Sequence, residues 1–157
     1  MVVDLCLAFF SIPVHRDSQY LFAFTYQGCQ YTWTRLPQGY TESPTLFSHI
    51  VKRDLDDIEF KMDSTLVQYI DDLLLALPSL EASKTDSLTL LQALAEKVHK
   101  ASKSKLQLCL PKVHYLGHDI SAGERRLSSV RIQAILQVPK PTTKKQMRNF
   151  LGMAGYC

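Results

Sequence analysis

The sequence predicts an α+β fold, an antiparallel sheet with helices packed on one face. Three observations lead there. Short runs rich in β-branched and aromatic residues are separated by turn-like links. Two longer stretches carry apolar residues at helical spacing. The order of the pieces, strand, hairpin, helix, hairpin, helix, strands, is that of an antiparallel sheet with helices layered against it.

Each element has its own justification. Val2 to Phe10, "VVDLCLAFF", predicts a first strand, and Tyr20 to Tyr26 with Tyr31 to Thr34 predict a hairpin across "QGCQ". The loop "RLPQGYTES" leads to Ser43 as an N-cap, followed by Pro44 at the first helical position, where a missing N–H costs nothing. Leu46, Phe47, Ile50, Val51, Leu55 and Ile58 then predict an amphipathic helix over 44–60. "STLVQY" and "LLLAL" predict a second hairpin, joined at Ile70 to Asp72, whose tip carries an acidic pair; the leucines 73–75 read as core. Leu88, Leu91, Leu94, Ala95 and Val98 mark a second helix from Leu80 to Ala101, with Ser102 to Lys105 as a basic exit. "LQLCL" and "VHYLGHDI" read as short strands separated by Pro111. Ser128 or Ser129 caps a short helix through Leu136, and "VPKPTT" is a stiff connector into a last helix near Thr143.

Composition narrows the class. With 157 residues, 46% hydrophobic and 21% charged, the chain fits one globular domain able to fill a core. A formal charge of +3 is compatible with a polyanionic partner and decides nothing alone. No apolar run approaches the roughly 18 to 20 residues of a membrane span. The start has no basic n-region and carries Asp4, so an intracellular protein without membrane contact is expected. Cys6, Cys29, Cys109 and Cys157 form no CxxC pair and read as free thiols. Both ends read as cuts, since the chain opens on a core strand and stops on "NFLGMAGYC".

The acidic pair raises the chemical question. In "LVQYIDDLLLAL", Asp71 and Asp72 interrupt one of the most apolar runs of the chain. Turn chemistry is one explanation, because Asp side chains bond nearby backbone N–H groups in hairpin turns. Asp4 strengthens another, for it sits inside the other strongly apolar strand-like run, where Asp is depleted. Three carboxylates on adjacent strands repel unless cations lie between them, and hard oxygen ligands select Mg²⁺ or Mn²⁺. Two such ions roughly 3.5 to 4 Å apart are the apparatus of in-line phosphoryl transfer.

The strings "VVDLCLAFFSIPVH", "LFAFTY", "YTWTRLPQGYTESPTLF", "QYIDDLLLAL", "ASKSKLQLC", "VHYLGHDI" and "MRNFLGMAGYC" together resemble, in order and spacing, the palm of a gammaretrovirus-type reverse transcriptase, including endogenous retroviral copies. The resemblance covers essentially the whole chain. YxDD alone is weak; with "LPQG" and "SPTLF" before it and "YLG" after it, the match is specific. The resemblance implies an RNA-directed DNA polymerase core that performs two-metal nucleotidyl transfer onto a primer 3′-hydroxyl. Two Mg²⁺ ions are implied, with Mn²⁺ possible, and the implied partners are an RNA or DNA template with primer and a dNTP. Residues 1–157 would be a palm fragment, with fingers largely missing before residue 1 and thumb missing after 157, and weak or no activity alone. Its place would be the cytoplasm or nucleus, or the virion as part of an intact Pol product. A second reading, from a different class, is a non-catalytic retroviral remnant that binds nucleic acid or a protein partner.

By resemblance, Asp4, Asp71 and Asp72 are the catalytic and metal-binding carboxylates, with Asp4 and Asp71 the principal ligands. Tyr69 lies near the primer terminus. Phe9 matches the aromatic steric gate beneath the incoming sugar, with Ala8 beside it in the nucleotide site; by residue type alone Phe9 is an ordinary strand aromatic. Gln38 contacts the incoming nucleotide and Gly39 allows close backbone approach. Lys105 matches a lysine that protonates the pyrophosphate leaving group, although a solvated helix end explains Lys100, Lys103 and Lys105 equally. Leu116, Gly117 and His118 fall where the family grips the primer strand. The chain departs from the family pattern at "DLCLAFF", where Cys6 and Leu7 stand in place of the lysine and aspartate of "DLKDAFF", and reduced activity is expected. "GYTES" lacks a basic residue often found after the glycine, and the segment between "LFAFTY" and "YTWTRLPQG" is short. A zinc site at Cys109, His114 and His118 is set aside because strand geometry puts these residues on different faces. Lys140, Lys144, Lys145 and Arg148 read as a solvated helix face as readily as a phosphate track.

Overall fold

A computed structural model describes residues 1–155. It divides into two compact units, Met1–Leu110 and the residues from Pro111 onward. The first unit holds a three-stranded antiparallel sheet of order β1-β5-β4, made of β1 (Val2–Asp4), β4 (Thr65–Tyr69) and β5 (Asp72–Ala76), and a separate hairpin of β2 (Ala23–Tyr26) and β3 (Cys29–Thr32). Its helices are the short α1 (Ala8–Ser11), a 3₁₀ segment Arg16–Phe22, α2 (Ser43–Leu55) and α3 (Leu80–Glu96). The second unit is a meander of β6 (Lys112–Tyr115), β7 (His118–Ser121) and β8 (Glu124–Leu127), followed by α4 (Ser129–Leu136) and α5 (Lys144–Gly155). The α+β class holds, with three small antiparallel sheets in place of a single one. No helix of the described residues is long and apolar enough to cross a membrane.

The core explains the layering. Phe47, Val51 and Leu55 recur every fourth residue and bury one stripe of α2. They pack with Leu90 and Leu94 of α3 and with Val3, Leu73 and Leu75, which share one face of the sheet. Burying each such side chain contributes roughly 1.5–3 kcal/mol. Leu46 is exposed, and on α3 the buried face runs through Ala82, Ser83, Asp86, Ser87, Leu90 and Leu94, leaving the expected core residues Leu88 and Val98 exposed.

Several expected boundaries shift, each for a local reason. The first strand stops at Asp4 because Leu7 takes a left-handed φ of 52° and starts α1, so Phe9 is helical. Residues 16–22 wind into the 3₁₀ segment, which shortens the first strand of the hairpin to 23–26. Glu42, and not Ser43, holds the N-cap position of α2 and makes no side-chain cap bond; the Ser43 hydroxyl turns back to donate to Pro37 O at 2.8 Å. That helix ends at Leu55 instead of residue 60, and α3 ends at Glu96 instead of 101. "LQLCL" forms no strand; only Gln107 bridges to Val2. "VHYLGHDI" is two strands, because Leu116 and Gly117 turn the chain with φ of 49° and 77°. Ser128 caps α4, as one of the two candidates required. Cys6, Cys29 and Cys109 are free thiols, and Cys157 lies outside the described residues.

Candidate active site

The hairpin of β4 and β5 turns through Ile70 and Asp71, with Tyr69 paired opposite Asp72. On its other edge β5 pairs with β1, which sets Asp72 opposite Asp4. Residues directly opposite in an antiparallel ladder share a face. Tyr69, Asp72 and Asp4 therefore form a row across three strands, on the face away from Leu73 and the core. Asp71 extends the row through its backbone, since Leu5 N–H donates to Asp71 O at 2.9 Å. Three acidic residues 67 and 68 positions apart in sequence thus meet at one end of one sheet.

The opposite edge of β1 is closed by the segment after α3. Cys6 N–H donates to Lys100 O at 2.6 Å, Ser102 N–H to Asp4 O at 2.8 Å, and Val2 and Gln107 exchange two bonds. This backbone track delivers Lys105, whose Nζ donates to Asp4 Oδ2 at 2.9 Å. The bond to Asp4 and that carboxylate's charge hold the Lys105 ammonium's pKa above its ordinary value. The Asp72 carboxyl is pushed up, first by burial, then by the charges of Asp71 and Asp4, with Lys105 opposing.

This electrostatic pattern tests the site for a divalent cation. The donors are hard carboxylate oxygens, and burial first, then the charges of Asp71 and Asp4, raise the proton affinity of Asp72, so cationic charge at this end of the sheet offsets the part that comes from its neighbours. Lys105 already supplies one such charge. Among the described residues no three His, Cys, Asp or Glu side chains are gathered into a ligand set. The donor chemistry, hard carboxylate oxygens at one end of one sheet, fits a divalent cation.

Of the remaining sequence candidates, Ala8, Phe9, Gln38 and Gly39 belong to the first unit and Leu116, Gly117 and His118 to the second. Ala8 and Phe9 begin α1, and the Phe9 ring packs edge-on against Phe47 with centroids 5.8 Å apart. Gln38 and Gly39 lie exposed on the loop before α2; Gly39 has φ 90°, and a Cβ there meets nothing within 4 Å. Leu116, Gly117 and His118 form the β6–β7 turn of the second unit. A Cβ on Gly117 would meet Arg131 Nη1 at 2.7 Å, so the glycine serves both its positive φ and the close approach of Arg131. His118 is buried; its Nδ1 lies 3.1 Å from Leu116 O, and its Nε2 meets no hydrogen-bond partner among the described residues.

Sequence reasoning missed two supports of the site. His99 Nε2 meets Asp54 Oδ2 at 3.0 Å and fixes the start of the Lys100–Lys105 track to α2. Asp86, fully buried on α3, accepts from Lys61 N and Met62 N at 3.1 and 3.2 Å and from Ser64 Oγ at 2.5 Å, which anchors the lead into β4. The available signal was a charged residue on the apolar face of a helix, which burial allows only when it is bonded.

Comparison with known proteins agrees with the geometry. Residues 1–120 match the family model described as reverse transcriptase (RNA-dependent DNA polymerase). The chain is 49% identical over 156 residues to the Gag-Pol polyprotein of Walleye dermal sarcoma virus and 45% identical over 163 residues to the Pol polyprotein of Feline endogenous virus ECE1. Those alignments take in 99% of this chain but 9% and 16% of the relatives, so the chain spans a small part of their length. Among solved structures it is similar to a foamy viral protease-reverse transcriptase in complex with double-stranded DNA, with TM-score 0.87 and 30% identity over 99% of this chain and 26% of that one. A second foamy viral structure, in complex with an RNA/DNA hybrid, gives TM-score 0.84 at 30% identity, covering 99% of this chain and 20% of that one. The chain belongs to the reverse transcriptase (RNA-dependent DNA polymerase) family, among relatives that include exogenous and endogenous retroviral Pol proteins.

Proposed function

We propose that this chain is the palm portion of an RNA-directed DNA polymerase, carrying the centre that joins a deoxynucleotide to a primer 3′-hydroxyl on an RNA or DNA template. The observation that carries the reading is the cross-strand row of Tyr69, Asp72 and Asp4, with Asp71 tied to Leu5 beside it. Asp4, Asp71 and Asp72 would hold the divalent cations. When bound, a pair of Mg²⁺ or Mn²⁺ ions supplies activation of the attacking hydroxyl and neutralises charge on the phosphate.

The chain's own residues have separable tasks. Asp4 and Asp72, on a three-stranded sheet backed by the core, present carboxylates from a rigid mount, and rigidity limits reorganisation during transfer. Tyr69, exposed at the end of the row, offers a ring to the primer terminus. Phe9, wedged on Phe47, holds a fixed ring near β1, which suits a gate against a 2′-hydroxyl. Gln38 presents an amide to the nucleotide, and Gly39 leaves open space for it. Lys105 keeps its proton through the neutral range and can give it to the departing pyrophosphate once released from Asp4. Leu116, Gly117 and His118 form a tight turn suited to a primer-strand contact. The palm assignment leaves fingers and thumb to a longer Pol product, and the cations those parts contribute are a large share of triphosphate binding.

Primer extension on an RNA template, with Mg²⁺ or Mn²⁺, tests the reading. Extension by the wild type that Asp71→Asn and Asp72→Asn both abolish supports it. A folded wild type that extends nothing puts the non-catalytic binder ahead, a reading favoured by the exposed aromatics Tyr20, Tyr26 and Tyr31.

A further inference from the structure

His99 is buried in the first unit, and no step of the transfer proposed above uses its ring. Its Nε2 meets Asp54 Oδ2 at 3.0 Å, while Arg53 holds Asp54 Oδ1 through Nε and Nη2 at 3.3 and 3.0 Å, so each carboxylate oxygen has its own partner. The same imidazole lies edge-on to the Phe47 ring, with centroids 6.4 Å apart and planes at 88°. Phe47 and Asp54 stand seven residues apart on α2, two turns and about 10 Å along one face, and His99 ties to both. Phe47 is fully buried and also carries the Phe9 ring, edge-on at 5.8 Å. A second route runs through the backbone. Lys100 O, one residue on from His99, accepts Cys6 N–H at 2.6 Å, and Ala101 bridges to Leu5. Those bonds hold the chain immediately before Leu7, whose φ of 52° starts α1 and so sets where Phe9 emerges.

We propose that Asp54 and His99 are positioning residues for the sugar gate: together they fix the Phe9 ring, and through it the exclusion of a ribose 2′-hydroxyl. Phe9 as gate belongs to the function proposed above, on which this inference rests. Phe9 is only part-buried, and its four-residue helix is too short to hold itself, so its position is imposed from outside. Phe47 imposes it through the ring and Lys100 through the backbone, and the His99–Asp54 contact anchors both to α2. Steric exclusion is steep in distance, so a ring free to recede by about 1 Å loses much of its selectivity. Asp54 lies two turns from Phe47, and its effect on sugar choice passes through His99.

The test uses the full chain in single-nucleotide incorporation and reads the ratio of kcat/KM for a deoxynucleotide to that for the matching ribonucleotide. Phe9→Ala sets the scale by removing the gate. Asp54→Ala should lower the ratio by about tenfold, and Asp54→Asn, which keeps a hydrogen-bonding side chain of the same shape, should restore most of it. His99→Leu, which keeps bulk against Phe47 but cannot bond Asp54, is a second variant and should lower the ratio in the same direction. Misplacing Lys105 lowers kcat for both sugars alike, and lost stability lowers the active fraction for both, so neither moves the ratio. Trp33, the chain's single tryptophan, supplies a readout independent of activity, because it stacks on Phe10 of α1 with centroids 5.5 Å apart. Its fluorescence should change in Asp54→Ala and stay at the wild-type value in Asp54→Asn. Circular dichroism checks that each variant is folded. With Phe9→Ala unselective, a wild-type ratio in Asp54→Ala and His99→Leu overturns this inference alone, and so does an unchanged Trp33 signal. A ratio unchanged by Phe9→Ala overturns the gate, and a folded wild type that incorporates neither sugar overturns the polymerase reading; this inference falls with either.

Discussion

At the scale of single residues, backbone conformation marks where this chain stores strain. Val98 ends α3 at the position that glycine prefers. Its N–H donates to Ala95 O and the next N–H, of His99, to Leu94 O, at 3.0 and 2.8 Å, which is the paired closure of a Schellman end. Yet Val98 is β-branched with φ 63°. Val98→Gly should stabilise the protein by about 1 kcal/mol, seen as a raised chemical-denaturation midpoint at unchanged slope. Leu7, at φ 52° and capping nothing, should respond in the same direction to Leu7→Asn, whose side chain tolerates that conformation. Asp72 carries strain of another kind. Its carboxyl is raised above 3.8 in the folded protein, so the native state binds its proton more tightly than the unfolded chain. The native state therefore loses stability as pH rises from the ordinary carboxylate pKa through the raised one. Asp72→Asn should melt higher than wild type at pH 7 and converge with it near pH 3, while Mn²⁺ should raise the melting temperature of wild type and not of Asp71→Asn.

At the scale of elements, the site depends on a track without regular structure. Residues 100–107 run along the edge of β1 opposite β5 and bond to it, and their entry is held by His99 on Asp54. Burial pushes the Asp54 carboxyl up, but hydrogen bonds from Arg53 and His99 outweigh it and hold it below the usual range. His99→Ala should cost about 2 kcal/mol by leaving Asp54 without this partner. It should also loosen Lys105, which would appear as a lower kcat in the active assembly. Asp86→Ala should cost about 3 kcal/mol or more, because three donors in the lead to β4 lose their acceptor. Denaturation with urea measures both losses.

At the scale of the whole molecule, stability is unevenly distributed. The fully buried large side chains, Phe47, Leu73, Leu75, Leu90 and Leu94, all belong to the first unit. The second unit buries Val113 and Tyr115, while α4 and the described part of α5 bury nothing. Hydrogen exchange should therefore find the slowest amides in β5, α2 and α3, with β6 to β8 exchanging at least tenfold faster. Equal protection across both units would contradict this picture.

Much of this was legible beforehand. The α2 stripe, the β4–β5 hairpin and the placement of Asp71 and Asp72 at its tip follow from apolar spacing and from Asp in a tight turn, which are local signals. The end of the first strand was not legible, because nothing in "DLCLAFF" announces that Leu7 will adopt a left-handed φ. Neither was the fate of "LQLCL", since an apolar run reads the same whether it pairs along its length or bridges once to Val2. The sequence by itself determined the fold class, the acidic residues and the family, because those rest on residue type and short-range order. Only the tertiary structure decided that Asp4 lies opposite Asp72, that Lys105 reaches Asp4 and that His99 meets Asp54. Those relations join positions tens of residues apart, and strand register and side-chain packing, which act through space, are what set them.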